Sequence, residues 1–295
     1  MMQTSRRIRL VITDLDNTLY DWVTFFARSF IAMADELAVL LDLPIDEIYR
    51  QFKAIHQHYG NSEQPFAALE LPSVRQRFAG ADREEIMQAL AGPLRAFNSA
   101  RKKHLQLYPG VFETLQVLHD EGILLVGHTE AVVANSYYRL NRLGVASLYR
   151  RLYTLMDKQP VENGRPGFEF HLPDFLVPVP REERKPNPGL LLDICRREGV
   201  LPSEALYVGD SLTRDIGMAR EAGVRAVWAR YGTRFDKGLW AVLVQITHWT
   251  DEDVAREEVL RHRYDHVVPD DTIDSFAEVL DIVGLHERVR VAARG

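Results

Sequence analysis

The sequence predicts a doubly wound, Rossmann-like α/β fold, in which a parallel sheet forms the core and a smaller α-helical cap domain is attached to it. Two observations support this prediction. Short apolar runs bounded by Gly or Asp alternate with helical patterns, as expected for parallel strands that are covered by helices on both faces. Directly after the first of these runs, residues 22–104 show helical periodicity and no strand signal.

The predicted strands are short apolar runs that would be buried on both faces of the sheet. They are RLVI at 9–12, ILLVG at 123–127, ALYVG at 205–209, RAVWA at 225–229 and DHVV at 265–268. The predicted helices between them carry apolar residues at helical spacing and end in glycine, a common residue at the C-terminal end of a helix. They are VFETLQVLHDEG at 111–122, PGLLLDICRREG at 188–199 and DIGMAREAG at 215–223.

These elements predict a discontinuous core at 6–21 and 105–285, a helical cap domain at 22–104 and a C-terminal tail at 286–295. Two segments interrupt the alternation of the core. The proline-rich segment at about 156–184 predicts an extended loop or hairpin, and the segment at about 233–263 ends in a charged run that predicts a solvated helix. A helical insertion after the first strand would lie above the carboxyl edge of the sheet, where open α/β folds bind their ligands.

Composition excludes two classes of partner. The 295-residue chain has a formal net charge of -6, which provides no electrostatic footprint for a nucleic acid polymer or an anionic membrane. Its longest apolar stretch, LWAVLVQI at 239–246, is much shorter than the roughly 20 residues that span a bilayer. The single cysteine, Cys195, lies in a helical pattern and is expected to be a buried thiol. We therefore expect a soluble, cytoplasmic protein, and no pattern indicates an oligomeric state.

Two acidic residues follow the first predicted strand. Residues two apart on a strand face the same way, so Asp14 and Asp16 would project toward one point at the carboxyl end of the sheet. Two close carboxylates repel each other unless a cation or a shared proton lies between them. The alternative is that both acids are turn residues before a helix that starts near Tyr20.

Polar residues also follow other predicted strands and loops. Thr129 would either donate a hydrogen bond to a phosphate oxygen or cap a helix. Lys185 is closely followed by two prolines, which would fix where its ammonium group points. The alternative is that Lys185 is a solvated surface residue. Asp210 comes directly after Gly209, which permits a tight turn near a ligand. Asp215 is either a ligand or a helix cap. Together, four acids and one lysine predict a cradle for a cation and a phosphate group.

With these residues, the chain resembles the haloacid dehalogenase-like hydrolase superfamily. It looks like a phosphatase-type member in which a helical cap is inserted after the first motif. Its four signature segments appear in order: DLDNT at 14–18, the strand-ending Thr129, Lys185 in KPNP, and GDSLTRD at 209–215. The resemblance implies that Asp14 is the nucleophile, which forms an aspartyl-phosphate, and that Asp16 is the general acid that later activates water.

The resemblance also implies a metal site and a phosphate site. Mg²⁺ would be held by Asp14, the backbone carbonyl of Asp16 and Asp210, with Asp215 as either a further ligand or an outer-shell acid. Water would complete its octahedron. The oxygens of the substrate phosphate would be bound by Thr18, Thr129 and Lys185, and the lysine would contribute to catalysis as a compact positive charge.

The presence of Asp16 restricts which activity of the superfamily the resemblance implies. Dehalogenating and phosphonate-cleaving members of the superfamily lack an acid at this place, whereas phosphatases and phosphomutases keep it. The predicted function is therefore a Mg²⁺-dependent phosphomonoester hydrolase that acts on a small phosphorylated metabolite, such as a nucleotide or sugar phosphate. The alternatives are a phosphomutase and a non-catalytic binding protein with the same fold.

One polar cluster in the predicted cap is a candidate for substrate recognition. In FKAIHQHYG, at 52–60, the side chains concerned are those of Lys53, His56, His58 and Tyr59. They form either a surface that faces the substrate or the solvent-exposed face of an amphipathic helix.

Overall fold

The computed structural model describes residues 7–63, 66–156 and 173–285, and these residues form two compact units. The α/β unit comprises described residues within 1–20, 107–234 and 259–295. The helical unit comprises described residues within 21–106 and 235–258. Among the residues that the structure describes, no helix combines the length and the hydropathy needed to cross a membrane.

The α/β unit is built on a sheet whose neighbouring strands are all parallel. In the described part of the chain its strands are β1 Leu10–Thr13, β2 Leu124–Val132, β3 Arg151–Leu155, β4 Leu176–Val179, β5 Ala205–Gly209, β6 Arg225–Ala229 and β7 Asp271–Ile273. Their spatial order is β4-β3-β2-β1-β5-β6-β7, which confirms the predicted doubly wound α/β fold. All four residues of β1 are buried, because β1 lies between β2 and β5 with helices on both faces.

Helices connect these strands and build the helical unit. In chain order, the α-helices of the described residues are α1 Trp22–Leu41, α2 Ile45–Tyr59, α3 Pro72–Arg77, α4 Arg83–Ala89, α5 Ala91–His104, α6 Val111–Asp120, α7 Val133–Arg142, α8 Pro188–Arg197, α9 Gly217–Glu221, α10 Lys237–Ile246, α11 Asp251–Arg263 and α12 Val279–Ile282. On one face of the sheet, Leu10 and Ile12 of β1 share a buried apolar cluster with Leu191 and Ile194 of α8. The apolar period of α8 thus covers the strand that carries the first acidic motif.

The predicted strand at 265–268 is wrong. These residues follow α11 without forming a strand, and Val268 is 72% exposed. The chain joins the sheet only at Asp270. Its backbone N–H donates to the carbonyl oxygen of Ala226, and its carboxylate accepts a hydrogen bond from the N–H of Ala226. From Asp271 onward, β7 pairs with β6. An edge strand needs few apolar residues, so the apolar pair in DHVV was a misleading signal.

Besides β7, two further strands were not predicted, and both lie on the other side of the sheet. β3 and β4 pair in parallel, with Leu152 opposite Leu176. β4 lies within the segment predicted as an extended loop or hairpin, whereas most of that segment, including FEFHL at 168–172, lies outside the described residues. The predicted tail at 286–295 also lies outside them.

Aromatic side chains build the core of the helical unit. Asp21 caps α1, because its carboxylate accepts a hydrogen bond from the backbone N–H of Thr24 at 2.8 Å. Phe30 of α1 lies edge-on to Phe52 of α2, with 4.9 Å between the ring centroids, and both rings are buried. Burying a side chain of this size stabilises the fold by about 2 to 3 kcal/mol.

The helix α10 packs against α1 and α2, so residues 235–258 cluster with the helical unit. The sequence predicts that residues 233–263 interrupt the core and end in a solvated helix, which is present as α11, but it does not predict that part of this segment joins the helical unit. The role of the helical unit as a cap domain stays a prediction, because its compactness does not show what it covers.

His56 is part of the core of the helical unit. Its side chain is buried, and Nδ1 lies 2.7 Å from the backbone carbonyl oxygen of Ile246 on α10. The alternatives weighed for the 52–60 cluster were both surfaces, and His56 lies on neither. Burial lowers the pKa of His56 to about 4, with the hydrogen bond to Ile246 opposing the shift.

We expect His56 to make the stability of the helical unit pH-dependent. Because the imidazole has a pKa of about 4 when folded and about 6.5 in its model state, the unfolded chain binds more protons between these pH values. The contribution of neutral His56 is therefore complete above pH 6.5 and is lost as the pH falls toward 4, by about 3 kcal/mol. Urea unfolding of the wild type and of His56→Gln, measured from pH 7 to pH 4, checks this.

The matched control is His58→Gln, since His58 is exposed on the same helix. The stability difference between the wild type and His56→Gln should shrink with falling pH, and by more than the difference for His58→Gln, because only the His56 side chain is buried. A difference for His56→Gln that stays constant over the whole range contradicts the prediction.

Candidate active site

Three carboxylates meet at the carboxyl edge of the sheet. Asp14 follows β1 and Asp210 follows β5, and the two strands are parallel neighbours. The backbone N–H of Asp14 donates to the carbonyl oxygen of Val208 at 2.9 Å, which ties the two strand ends together. One carboxylate oxygen each from Asp14, Asp210 and Asp215 lies within 4.8 Å of the others. We call these three residues the acid cluster.

Asp215 is not the helix cap that the sequence left open. It lies inside a π-type turn at Leu212–Ile216, and the side chain of Ser211 caps that turn instead. The Asp215 carboxylate is buried and accepts hydrogen bonds from the backbone N–H of Ser211 at 3.1 Å and the hydroxyl of Tyr207 at 3.1 Å. Three donors, counting Lys185, fix the position of this carboxylate.

Lys185 is buried rather than solvated. Its Nζ donates to Asp14 Oδ1 at 2.5 Å and to Asp215 Oδ1 at 2.9 Å. The residue precedes α8, which Asn187 caps by accepting a hydrogen bond from the N–H of Leu190 at 3.0 Å. Burial by itself would lower the pKa of Lys185, but the two carboxylates outweigh burial and raise this pKa well above its usual value. The ammonium is therefore charged.

If all three acids of the acid cluster were ionised, they would carry more negative charge than one lysine neutralises. Burial raises the pKa of Asp14 to about 7; Lys185 opposes the shift, and Asp215 and Asp16 add to it. Burial, followed by the charges of Asp14 and Asp215, raises the pKa of Asp210 well above its usual value. Carboxylate oxygens crowded in this way are the ligands that a hard divalent cation prefers, so the donor set fits Mg²⁺.

The structure does not bring the carboxylate of Asp16 into the acid cluster. Asp16 Oδ1 instead accepts hydrogen bonds from the hydroxyl of Tyr20 at 2.5 Å and from Nη1 of Arg139 at 2.8 Å. Thr18 is closer to the cluster, since its hydroxyl donates to Asp14 Oδ2 at 3.4 Å, which is long for a hydrogen bond. The two acids of the first motif thus have different partners.

Thr129 lies in an irregular part of β2. The register of β2 against β3 shifts between His128 and Val132, as in a β-bulge, a feature that often redirects side chains near active sites. The Thr129 hydroxyl accepts a hydrogen bond from the N–H of Ala131 at 3.1 Å. Helix α7 begins only at Val133, so Thr129 is not its N-cap.

Sequence reasoning missed three side chains around the acids. Arg139 and Tyr20 bind Asp16, and Tyr207 binds Asp215. A tyrosine inside the otherwise aliphatic run ALYVG was a usable signal, because a buried phenol needs a hydrogen-bond partner. Arg139 gave no such signal, because a charged residue in a helical pattern is normally solvated.

Comparison with known proteins supplies a family context. The chain matches a family described as haloacid dehalogenase-like hydrolase over residues 8–223. It is 28% identical over 279 residues to a glyceraldehyde 3-phosphate phosphatase of Methanopyrus kandleri, and this match covers 94% of the chain and 97% of that protein. It is 30% identical over 229 residues to a phosphoglycolate phosphatase of Pseudomonas putida, covering 76% of the chain and 70% of that protein.

Solved structures with the same fold include a 2-haloacid dehalogenase from Pseudomonas syringae pv. tomato. The TM-score is 0.53 at 22% sequence identity, and the match covers 94% of this chain and 98% of that one. At this level of identity the likeness concerns the fold alone.

We expect Gly209→Ala to disturb the acid cluster. A Cβ atom at position 209 would lie 2.4 Å from Oδ2 of Asp215, a carboxylate held by several donors. Overpacking of this kind lowers the free energy of unfolding by about 1 to 3 kcal/mol. Chemical denaturation measures the effect, and Gly92→Ala is the control, because a Cβ there would meet only Glu36 Oε2, at 3.8 Å. Equal stability of both variants would show that Asp215 can move freely.

Proposed function

The chain belongs to the haloacid dehalogenase-like hydrolase family and is a phosphatase-type member, a phosphoric monoester hydrolase, and from this premise we propose that it hydrolyses a small phosphorylated metabolite through an aspartyl-phosphate on Asp14. The observation that carries the proposal is the buried contact of Asp14 with Lys185 inside the acid cluster. A carboxylate in this position is held at the strand end with a positive charge beside it.

The acid cluster is the proposed metal site. Asp14, Asp210 and Asp215 would hold Mg²⁺, together with the backbone carbonyl of Asp16. When bound, Mg²⁺ supplies charge neutralisation between an anionic nucleophile and a phosphate dianion. The indole N–H of Trp228 donates to the backbone carbonyl of Asp210 at 2.9 Å and so helps to orient this acid.

We propose two displacements at phosphorus. In the first, an oxygen of Asp14 forms a bond to phosphorus, the ester bond breaks, and Asp16 gives its proton to the leaving oxygen. In the second, Asp16 takes a proton from water, which attacks phosphorus and breaks its bond to Asp14, so that inorganic phosphate leaves. Lys185, Thr129 and Thr18 bind the phosphoryl oxygens.

The substrate is proposed to be small. The glyceraldehyde 3-phosphate phosphatase and the phosphoglycolate phosphatase that the chain matches are named for a three-carbon and a two-carbon phosphate, respectively. The match with the glyceraldehyde 3-phosphate phosphatase spans nearly all of both chains. We propose a substrate of this size class, with sugar phosphates and nucleotides as the other classes to test. We also propose that the helical unit is a cap that excludes water from the reacting groups.

One prediction tests Asp14 as the nucleophile. Asp14→Asn removes the attacking oxygen anion while keeping the shape of the side chain, so phosphate release should fall at least about a thousandfold. The assay measures inorganic phosphate from a panel of small phosphorylated metabolites and from 4-nitrophenyl phosphate, with Mg²⁺ and with EDTA. The control is Asp193→Asn, because Asp193 is exposed on α8. Retained turnover by a folded Asp14→Asn variant would disprove the nucleophile.

Another prediction tests Asp16 as the proton donor. Asp16→Asn removes this donor, so the loss in kcat/KM, which reports the first displacement alone, should depend on the leaving group. We expect kcat/KM to fall roughly 10² to 10⁴-fold with phenyl phosphate, whose leaving phenolate needs a proton, and much less with 4-nitrophenyl phosphate. Steady-state kinetics with both esters measure this, and an equal loss of kcat/KM on the two would rule out a leaving-group acid.

A further inference from the structure

A buried arginine contacts the proposed proton donor. The side chain of Arg139, on α7, is only 1% exposed, and its Nη1 lies 2.8 Å from Oδ1 of Asp16. Burying a guanidinium requires a hydrogen-bonded partner of opposite charge, since an unpaired buried charge is very unfavourable. The Asp16 side chain is 26% exposed, so this ion pair joins the interior of the α/β unit to a carboxylate that solvent reaches.

A buried phenol contacts the same oxygen. The hydroxyl of Tyr20 donates to Asp16 Oδ1 at 2.5 Å and lies 3.4 Å from Nη1 of Arg139. The guanidinium carbon of Arg139 is 5.9 Å from the centroid of the Tyr20 ring, which is fully buried. Asp16 Oδ1 therefore accepts hydrogen bonds from two rigid groups that come from different parts of the chain.

The backbone around Asp16 supports this arrangement. Asn17 adopts a left-handed conformation with φ of 56°, and its N–H donates to the carbonyl oxygen of Tyr20 at 2.8 Å. The resulting tight turn brings the Tyr20 side chain back over Asp16, four residues earlier. The turn fixes the backbone, and the two donors fix the side-chain rotamer.

We propose that Arg139 and Tyr20 are positioning residues that hold the carboxylate of Asp16 in the orientation needed for proton transfer to and from the reacting oxygens. This inference rests on the proposed phosphatase function. A half-buried carboxylate without such partners would sample several rotamers, and a misplacement of about 1 Å at a reacting group reduces the rate about a hundredfold. Stability alone does not explain the pair, because apolar residues often replace a buried ion pair without loss of stability.

The test is the leaving-group dependence of Arg139→Met. With phenyl phosphate, kcat/KM, which reports the first displacement alone, should fall about tenfold to a hundredfold, the usual effect of losing a group that orients a reacting residue. With 4-nitrophenyl phosphate, kcat/KM should fall less than about threefold, because a good leaving group needs little help from an acid. The second displacement is common to both esters, so a loss in kcat that comes from it should be the same for the two. A purely structural role would reduce kcat/KM on both esters equally. The matched control is Arg142→Met, since Arg142 is exposed on the same helix.

Two further variants keep the test decisive if Arg139→Met does not fold. Tyr20→Phe removes one hydroxyl from the buried site and should show the same selective loss, although a smaller one. Arg139→Lys should retain part of the activity on phenyl phosphate that Arg139→Met loses. In the Asp16→Asn background, Arg139→Met or Tyr20→Phe should cause no further loss on phenyl phosphate, because these residues act through Asp16.

Three results separate the possible failures. A wild type that releases no phosphate from either ester overturns the proposed function together with this inference. If the wild type turns over both esters but the Arg139 and Tyr20 variants lose kcat/KM equally on the two, only the positioning role is overturned. Additive losses in the Asp16→Asn background also overturn it.

Discussion

The ammonium of Lys185 between Asp14 and Asp215 is the interaction on which the candidate site depends. Parallel pairing of β1 with β5 brings Asp14 and Asp210 to one edge of the sheet, and the turn after β5 adds Asp215. Two buried carboxylates and one half-buried carboxylate at this spacing repel one another when ionised, and Lys185 is the buried cation that offsets part of the repulsion. Removing one member of such a buried pair destabilises a protein by about 3 to 5 kcal/mol, so the site and the fold are energetically linked.

Most inner strands were predictable from the sequence, whereas β3 and the two edge strands, β4 and β7, were not. β1, β5 and β6 are covered on both faces, so their residues form continuous apolar runs that are visible without a structure. β7 has only three residues, two of them polar, because an edge strand is stabilised by backbone pairing on one side. The apolar pair in DHVV was attributed to a strand, although Val268 faces solvent.

The residues of the candidate site also differ in whether the sequence predicts them. Residues at the ends of predicted central strands could be assigned to one edge from topology alone, which is how Asp14 and Asp210 were found. Lys185 and Thr129 needed the resemblance to a known family. Arg139 could not be found in either way, because whether a helical arginine is solvated or buried depends on what the helix packs against. His56 illustrates the same point, since the cluster that contains it was assigned to a surface and its imidazole lies in a core.

The two acids of the first motif are separated by one residue, yet they lie in different surroundings. Asp14 is buried among carboxylates beside a lysine, whereas Asp16 is partly exposed and bound by an arginine and a phenol. Had Asp16 also pointed into the acid cluster, a fourth carboxylate would have increased the repulsion there without another cation to offset it. Directing Asp16 toward Arg139 reduces this repulsion without removing it, because Asp16 still contributes to the raised pKa of Asp14. Two neighbouring carboxylates in different electrostatic environments are what a reaction needs when one must attack and the other must carry a proton.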